Sequence, residues 1–298
     1  MARRVKVVGA GLAGCEAAWR LAEEGLKVEL SDIKPKSFTP AHESCDFAEL
    51  VCSNSLKSND IYGNACGLLK EEMRRLGSLT MEAAAATRVP AGGALAVDRE
   101  RFSAYVTEKL RTHPKIHIAC READSLPESG IVATGPLTDG ALYEAIAARF
   151  GGGLHFYDAT APVVTAESVD MAAAFTADRY GRGTGDYVNC PMNKEEYETF
   201  VRELLSAEKV TLRDFEKREI FEGCMPVEVM ASRGKDSLRF GAFKPVGLED
   251  EDGKRPYAVL QLRRENEEGT LLGLVGCQTN LKFGEQKRVF SLIPALRN

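Results

Sequence analysis

The chain lacks long hydrophobic runs, paired cysteine motifs and an excess of positive charge, and each absence excludes a class of protein. No apolar run approaches the roughly 20 residues that a transmembrane helix needs. The basic start "MARRVKVVGAGLAG" is interrupted by glycines, so it does not predict a signal peptide. The net charge of −5 excludes a chain that is basic throughout, although a local basic patch would suffice for RNA.

The eight cysteines include no CxxC pair and no Cys/His spacing suited to zinc, so no metal site is predicted. We therefore expect reduced thiols in a cytoplasmic protein, most of them small buried side chains. Two lie in more unusual settings. Cys52 precedes the polar residues Ser53–Ser55, which can hydrogen-bond an anion or a base edge. Cys224 stands two residues before Pro226, which predicts a helix N-terminus and a stabilised thiolate.

The N-terminal segment "VKVVGAGLAGCEAAWRLAEEGLKVELSD" has the order strand, glycine turn, helix, strand and acid that a dinucleotide site requires. Gly9 permits the tight turn, Gly11 lets a pyrophosphate approach the backbone, and Gly14 lets helix and strand pack closely. The helix N-terminus would supply N–H groups to the phosphates, and Asp32 would accept hydrogen bonds from a ribose. The cofactor-binding residues predicted here are Gly9, Ala10, Gly11, Leu12, Ala13, Gly14 and Asp32. The acid favours FAD or NAD over NADP.

The segment "SGIVATGPLT" favours FAD over NAD. Ile131 and Val132 predict a short strand, which Ala133, Thr134 and Gly135 follow. A strand that ends in Ala-Thr-Gly recurs in flavoproteins with two dinucleotide domains, where it passes near the bound FAD.

The remaining elements predict an α/β protein whose pattern changes near residue 160. Before that point, one amphipathic helix is expected to bury Leu68, Leu69, Met73, Leu76 and Thr80. After it, Asn193 and Glu196 predict a capped helix, and "YAVLQLRRE" predicts a strand that pairs with "TLLGLVGCQTNL". We expect a FAD-binding domain over residues 1–160 and an inserted α+β domain over residues 161–298.

The chain resembles the bacterial tRNA (uracil-5-)-methyltransferases that depend on folate and FAD. The resemblance is carried along nearly the whole length by segments such as "GAGLAGCEAAWRLAEEG", "TPAHESCDFAELVCSNSLKSN", "RVPAGGALAVDRERFSAYVTEKL", "FEGCMPVEVMASRG" and "KRPYAVLQLRRE". The cysteines that the family uses in chemistry match Cys52 and Cys224, and its FAD-binding glycines match Gly9 through Gly14. Which cysteine attacks the base stays open.

The resemblance implies methylation of uracil C5 in the T loop of tRNA, at position 54. It further implies 5,10-methylenetetrahydrofolate as the carbon donor and FAD, recharged by NAD(P)H, as the reductant. Ribosomal RNA as the target, a wobble-uridine flavoenzyme, a non-methylating FAD oxidoreductase and an RNA-binding remnant remain alternatives. The basic residues that flank the family's motifs are candidates for RNA contact: Lys57, Arg233, Lys235, Arg239, Lys282, Lys287 and Arg288.

Such flavoproteins normally end with a segment that returns to the first domain and covers the flavin. The chain stops at "IPALRN" without this pattern, so the C-terminal part of the FAD domain is expected to be missing. We expect a Rossmann-like fold that is incomplete, with weak FAD binding and no turnover from residues 1–298 alone.

Overall fold

The computed structural model describes residues 4–151, 161–181, 183–210, 225–250 and 253–298. These residues group into two compact units. The first comprises residues 1–51, 59–88 and 97–156, and the second comprises residues 52–58, 89–96 and 157–298. The predicted boundary after residue 160 assigned the segments 52–58 and 89–96 to the first domain, whereas their contacts group them with the second unit.

The first unit contains a four-stranded parallel sheet with the order β6-β2-β1-β7. Val7 and Val8 in β1 and Val28 and Leu30 in β2 are buried, because apolar strands at the centre of a parallel sheet are covered on both faces. The strands are β1 (Val5–Val8), β2 (Val28–Asp32), β6 (Ile116–Cys120) and β7 (Gly130–Val132). The sheet has the parallel architecture expected of a Rossmann-like domain.

Five helices of the described residues belong to this unit: α1 (Leu12–Glu23), α2 (Ala65–Arg75), α3 (Leu79–Ala86), α4 (Arg99–Thr112) and α5 (Gly140–Phe150). Helix α1 buries Ala18 and Ala22, which stand four positions apart and so share one face. Gly25, at a φ of +91°, follows its end and adopts the left-handed conformation that glycine permits.

The prediction of one amphipathic helix around Leu76 is wrong. Gly77 has a φ of +71° and separates α2 from α3, whose N-cap is the side chain of Ser78. Leu68 and Leu76 are 49% and 64% exposed. The spacing of these leucines is helical, but the turn at Gly77 prevents their forming one buried stripe with Thr80.

The second unit contains a five-stranded antiparallel sheet with the order β8-β12-β11-β10-β9. Its strands are β8 (Val163–Thr165), β9 (Phe175–Thr176), β10 (Val188–Met192), β11 (Ala258–Arg264) and β12 (Leu271–Leu274). Ala258, Leu260 and Leu262 share one face of β11 and are fully buried, and Val259, Gln261 and Arg263 on the other face are buried as well. Leu262 pairs with Leu274 in β12.

The helices of this unit cover the sheet with apolar side chains. They are α6 (Lys194–Ser206), α7 (Val227–Ser232), α8 (Ser237–Phe240) and α9 (Phe283–Phe290). The predicted capping box of α6 is present, because the Asn193 side chain accepts from the Glu196 amide at 3.0 Å and the Glu196 carboxylate accepts from the Asn193 amide at 2.7 Å. Tyr197, Phe200 and Leu204 are buried against the sheet.

A small sheet joins β3 (Ser55–Ser58), β5 (Ala94–Val97) and β4 (Arg88–Val89) in the order β3-β5-β4. Ser55 pairs with Ala96 and Ser58 with Ala94. This pairing joins two stretches that are far apart in sequence.

Among the described residues, no helix has the length and apolar content that crossing a bilayer requires.

Candidate cofactor and thiol sites

The glycine turn after β1 admits no side chain at two of its three glycines. Gly9 has a φ of +97°, and a Cβ there would stand 2.5 Å from the Ala133 carbonyl oxygen. A Cβ on Gly14 would stand 1.8 Å from the Gly9 carbonyl oxygen. A Cβ on Gly11 would meet nothing within 4 Å. Gly9 and Gly14 therefore serve close packing, whereas Gly11 borders open space.

The N-terminus of α1 presents backbone N–H groups that no side chain caps. Gly11 is its N-cap and provides no side-chain hydrogen bond, and the first turn holds no acidic residue. Gly11, Leu12 and Ala13 are exposed. The first N–H groups of a helix have no partner within it, and the helix dipole adds a partial positive charge. These are the features by which a helix N-terminus can bind an anion such as a pyrophosphate.

Asp32, at the end of β2, ties the glycine turn to the neighbouring strand. Its Oδ2 accepts a hydrogen bond from the Ala10 amide at 2.6 Å, and its Oδ1 accepts one from the Lys34 amide at 2.9 Å. Each carboxylate oxygen can accept more than one hydrogen bond, so a ribose could still bind here. The sequence indicated only the ribose role; the contact with Ala10 adds a structural one.

A cleft that is open to solvent lies beside this turn. The predicted cofactor residues that line it are Gly9, Ala10, Gly11, Asp32, Ala133 and Thr134. Leu12, Ala13 and Gly14 continue from the turn into α1, and Gly135 follows Thr134 with a φ of +77°. The Ala133 amide donates to the Val8 carbonyl at 2.7 Å, which brings the Ala-Thr-Gly segment against the turn.

The same cleft is lined by three residues that motif analysis did not single out, Lys34, His42 and Glu49. The Lys34 ammonium contacts a Glu49 carboxylate oxygen at 2.7 Å. Burial by itself raises the pKa of Glu49, but hydrogen bonds from Lys34 and from two backbone amides outweigh it and hold that pKa below its ordinary value. Burial and the nearby Lys34 charge lower the pKa of His42, so its imidazole is neutral at pH 7. His42 and Glu49 lie in "TPAHESCDFAE", part of a segment that carries the family resemblance, and this was the available signal for them.

These features fit the adenosine and pyrophosphate part of FAD. The turn leaves room for phosphate at Gly11, α1 supplies N–H groups, and an acid stands at the end of β2. The isoalloxazine ring has no assigned place among these residues.

Cys52 lies in the second unit and is half-buried. The side chains after it bind the protein itself. Ser53 Oγ accepts from the Arg263 guanidinium at 3.1 Å, and Asn54, which is fully buried, accepts from Arg263 Nε at 2.8 Å. The Asn54 amide is therefore used within the protein, whereas the Ser53 hydroxyl only accepts here and keeps its proton to donate, so contact of this segment with an anion or a base edge stays a prediction. Cys224 lies outside the described residues; α7, which begins at Val227, confirms a helix just after Pro226.

The whole described chain matches one family. The model of the family "glucose inhibited division protein A" matches residues 4–298. The chain belongs to this family. A relative from Acetivibrio thermocellus is named methylenetetrahydrofolate–tRNA-(uracil-5-)-methyltransferase TrmFO; it is 60% identical over 298 residues, which are 99% of this chain and 68% of the relative. A Lactobacillus helveticus protein of the same name is 56% identical over 100% of this chain and 74% of its own length.

A solved structure of this family supports the fold. Aquifex aeolicus GidA, in its form I crystal, superposes with a TM-score of 0.66 and 16% identity, over 99% of this chain and 55% of that one. At this identity the likeness concerns the fold alone. It agrees with the Rossmann-like architecture predicted from the glycine turn. The chain spans about 68% of the length of the TrmFO relatives from Acetivibrio thermocellus and Geotalea daltonii.

The other cysteines of this GidA-family chain are less uniformly buried than the sequence suggested. Cys15, Cys190 and Cys277 are buried, and Cys45 is exposed, whereas Cys66 and Cys120 are half-buried. Burial raises the pKa of Cys190 to about 12 and places that of Cys277 well above its ordinary value. These buried thiols are therefore protonated at neutral pH and poorly suited to nucleophilic attack.

Some of the basic residues expected to contact RNA are already paired with acids. Lys282 Nζ lies 2.7 Å from a Glu208 carboxylate oxygen. The Arg288 guanidinium contacts Glu203 at 2.7 Å and Glu285 at 2.8 Å. A phosphate would have to compete with these carboxylates, so both residues are weaker candidates than their positive charge alone suggests.

Proposed function

We propose that this chain carries the cofactor and thiol sites of a folate-dependent tRNA (uracil-5-)-methyltransferase. The identity of 60% with a TrmFO relative supports this activity. The observation that carries it is the glycine turn, where Gly11 faces open space beside the bare N-terminus of α1. The substrate is the uracil at position 54 in the T loop of tRNA, and 5,10-methylenetetrahydrofolate provides the carbon.

The first unit holds FAD through its backbone and one carboxylate. Residues 9–14 would bind the pyrophosphate, Asp32 the adenosine ribose, and residues 133–135 would pass beside the cofactor. Bound FAD, recharged by NAD(P)H, supplies the reducing equivalents that convert a methylene group to a methyl group.

The protein activates the base with a thiol. Uracil C5 is a weak nucleophile, and a thiolate that adds to C6 converts the ring into an enolate that can attack a one-carbon electrophile through C5. The C5 proton would then be lost as tetrahydrofolate leaves the methylene carbon, and a hydride delivered to that carbon by the reduced cofactor would expel the thiolate from C6, which gives 5-methyluracil and the free cysteine. Cys52 and Cys224 are the candidates for this nucleophile. The base must leave its stack to reach either thiol.

The test measures 5-methyluridine formation by mass spectrometry. Because the chain spans 68% of the Acetivibrio thermocellus relative, residues 1–298 replace the matching part of that full-length protein. Methyl transfer should require 5,10-methylenetetrahydrofolate and favour tRNA over a ribosomal RNA fragment. Cys52→Ala should abolish it, whereas Cys66→Ala, a change at another half-buried cysteine, should leave it within about threefold of the unmodified rate.

Three other results would contradict this proposal. Full methylation in Cys52→Ala would remove Cys52 from the chemistry. Methylation of ribosomal RNA alone would assign the chain to a different substrate within the family. Flavin reduction by NAD(P)H without any methylated product would identify a non-methylating oxidoreductase. A cytoplasmic location stays a prediction.

A further inference from the structure

The segment that follows Cys52 is held by two neighbouring residues of strand β11. Arg263 Nε donates to Asn54 Oδ1 at 2.8 Å, and its Nη2 donates to Ser53 Oγ at 3.1 Å. The Asn54 amide nitrogen in turn donates to the Arg264 carbonyl at 2.8 Å. Residues 53 and 54 are thus fixed by three hydrogen bonds to a strand about 210 positions away in sequence.

This anchor is buried and rigid. Asn54 is fully buried and Arg263 is 8% exposed. Strand β11 is paired on both sides, with β10 and with β12, so its backbone cannot shift easily. Directly after the anchor, Ser55 begins β3 and pairs with Ala96. The three residues from Cys52 to Asn54 therefore have little freedom at their C-terminal end.

Arg263 places a positive charge in this buried anchor. The guanidinium also faces the Tyr187 hydroxyl; burial raises the pKa of Tyr187, and the Arg263 charge opposes that rise. Within the described ranges, Arg263 forms no salt bridge with a carboxylate. A buried charge without an opposite charge is costly, and a neutral side chain would fill the same space more cheaply. The planar fork, however, can bind two acceptors in a fixed geometry.

We propose that Arg263 is a positioning residue that aims the Cys52 thiol at its substrate by holding Ser53 and Asn54. This role rests on the proposed function, because it presumes that Cys52 takes part in methyl transfer. Misplacing a reacting group by about 1 Å can cost as much as 100-fold in rate. Loss of the anchor should therefore slow the reaction while the RNA still binds.

The first experiment needs no catalytic activity. The 298-residue chain and its variants Arg263→Lys and Asn54→Ala are treated with iodoacetamide, and alkylation of each cysteine is followed by peptide mass spectrometry. Both variants release the half-buried segment, so alkylation of Cys52 should become at least threefold faster. Cys45, which is exposed in the first unit, is the internal control and should react at an unchanged rate.

The second experiment measures methyl transfer in the chimera described above. Arg263→Lys and Asn54→Ala should each lower kcat at least tenfold, with less than a threefold change in KM for tRNA. The double variant should lose no more than the worse single variant, because both changes break one anchor. Arg179→Lys is the control: Arg179 is an arginine of the same unit, half-buried and so less enclosed than Arg263. Its Nε donates to Gln261 at 2.9 Å, and none of its hydrogen bonds reaches residue 53 or 54.

The outcomes separate the two proposals. If Cys52→Ala abolishes methylation while Arg263→Lys keeps full kcat and unchanged Cys52 alkylation, the positioning role is overturned and the proposed function stands. If Arg179→Lys lowers kcat as much as Arg263→Lys, the effect is general destabilisation and the positioning role is again overturned. If Cys52 is alkylated faster in Arg263→Lys but the Cys52→Ala chimera methylates tRNA at the full rate, Arg263 does hold the segment in place. The thiol then has no catalytic role, and the proposal that Arg263 aims it is overturned.

Discussion

Substituting the glycines of the turn with alanine should separate folding from cofactor binding. Gly11 has a φ of −72°, which alanine adopts freely, and its added Cβ would meet nothing within 4 Å. The change of N-cap from glycine to alanine costs at most about 1 kcal/mol. In a domain of this size that lowers the melting temperature by about 2–4 °C. Gly11→Ala should therefore fold normally.

Gly11→Ala should weaken binding of the cofactor's pyrophosphate although the variant folds normally. The added methyl group would occupy the space through which a pyrophosphate approaches the turn. ADP serves as the probe, because it contains the part of FAD that this site would bind and needs no flavin-covering segment. We expect its Kd, measured by isothermal titration calorimetry, to rise at least tenfold, which corresponds to about 1.4 kcal/mol.

Gly9→Ala is the contrasting variant. Its Cβ would lie 2.5 Å from the Ala133 carbonyl oxygen, and its φ of +97° is strained for any residue with a side chain. Strain of this kind costs about 1–3 kcal/mol before the backbone of the neighbouring strand is displaced. The melting temperature should therefore fall by several degrees more than in Gly11→Ala. A folded Gly11→Ala chain that binds ADP as tightly as the unmodified chain would refute the assignment of Gly11 to the pyrophosphate.

Two further predictions concern stability. Asn193→Ala removes the side-chain half of the α6 capping box and should cost about 1 kcal/mol in chemical denaturation; an unchanged midpoint would show that the cap is not needed. Burial raises the pKa of Glu49, but Lys34 and backbone amides outweigh this and hold it below 4.5. The contact therefore stabilises the fold above pH 4.5 and is lost as pH falls through the lower folded-state pKa. Glu49→Gln should lower the melting temperature more at pH 7 than at pH 3; an equal loss at both would contradict this.

Features set by a few consecutive residues were predictable from the sequence. The glycine turn, the capping box at Asn193 and the strand β11 appear where their patterns place them. Each depends on backbone conformation or side-chain alternation within one element. The prediction of one helix through Leu76 and Thr80 was wrong for a local reason as well. It followed the spacing of the leucines across Gly77 and ignored the tendency of glycine to end a helix.

The sequence by itself determined the element order of the nucleotide-binding turn and pointed to two cysteines. Only the tertiary structure decided which side chains surround them. Asp32 meets Ala10 because β1 and β2 are parallel neighbours, and Asn54 meets Arg263 across about 210 positions because β3 and β11 belong to one compact unit. Such contacts depend on how strands pair and pack over the whole chain. No local pattern around Cys52 specifies which distant residue will hold the segment in place.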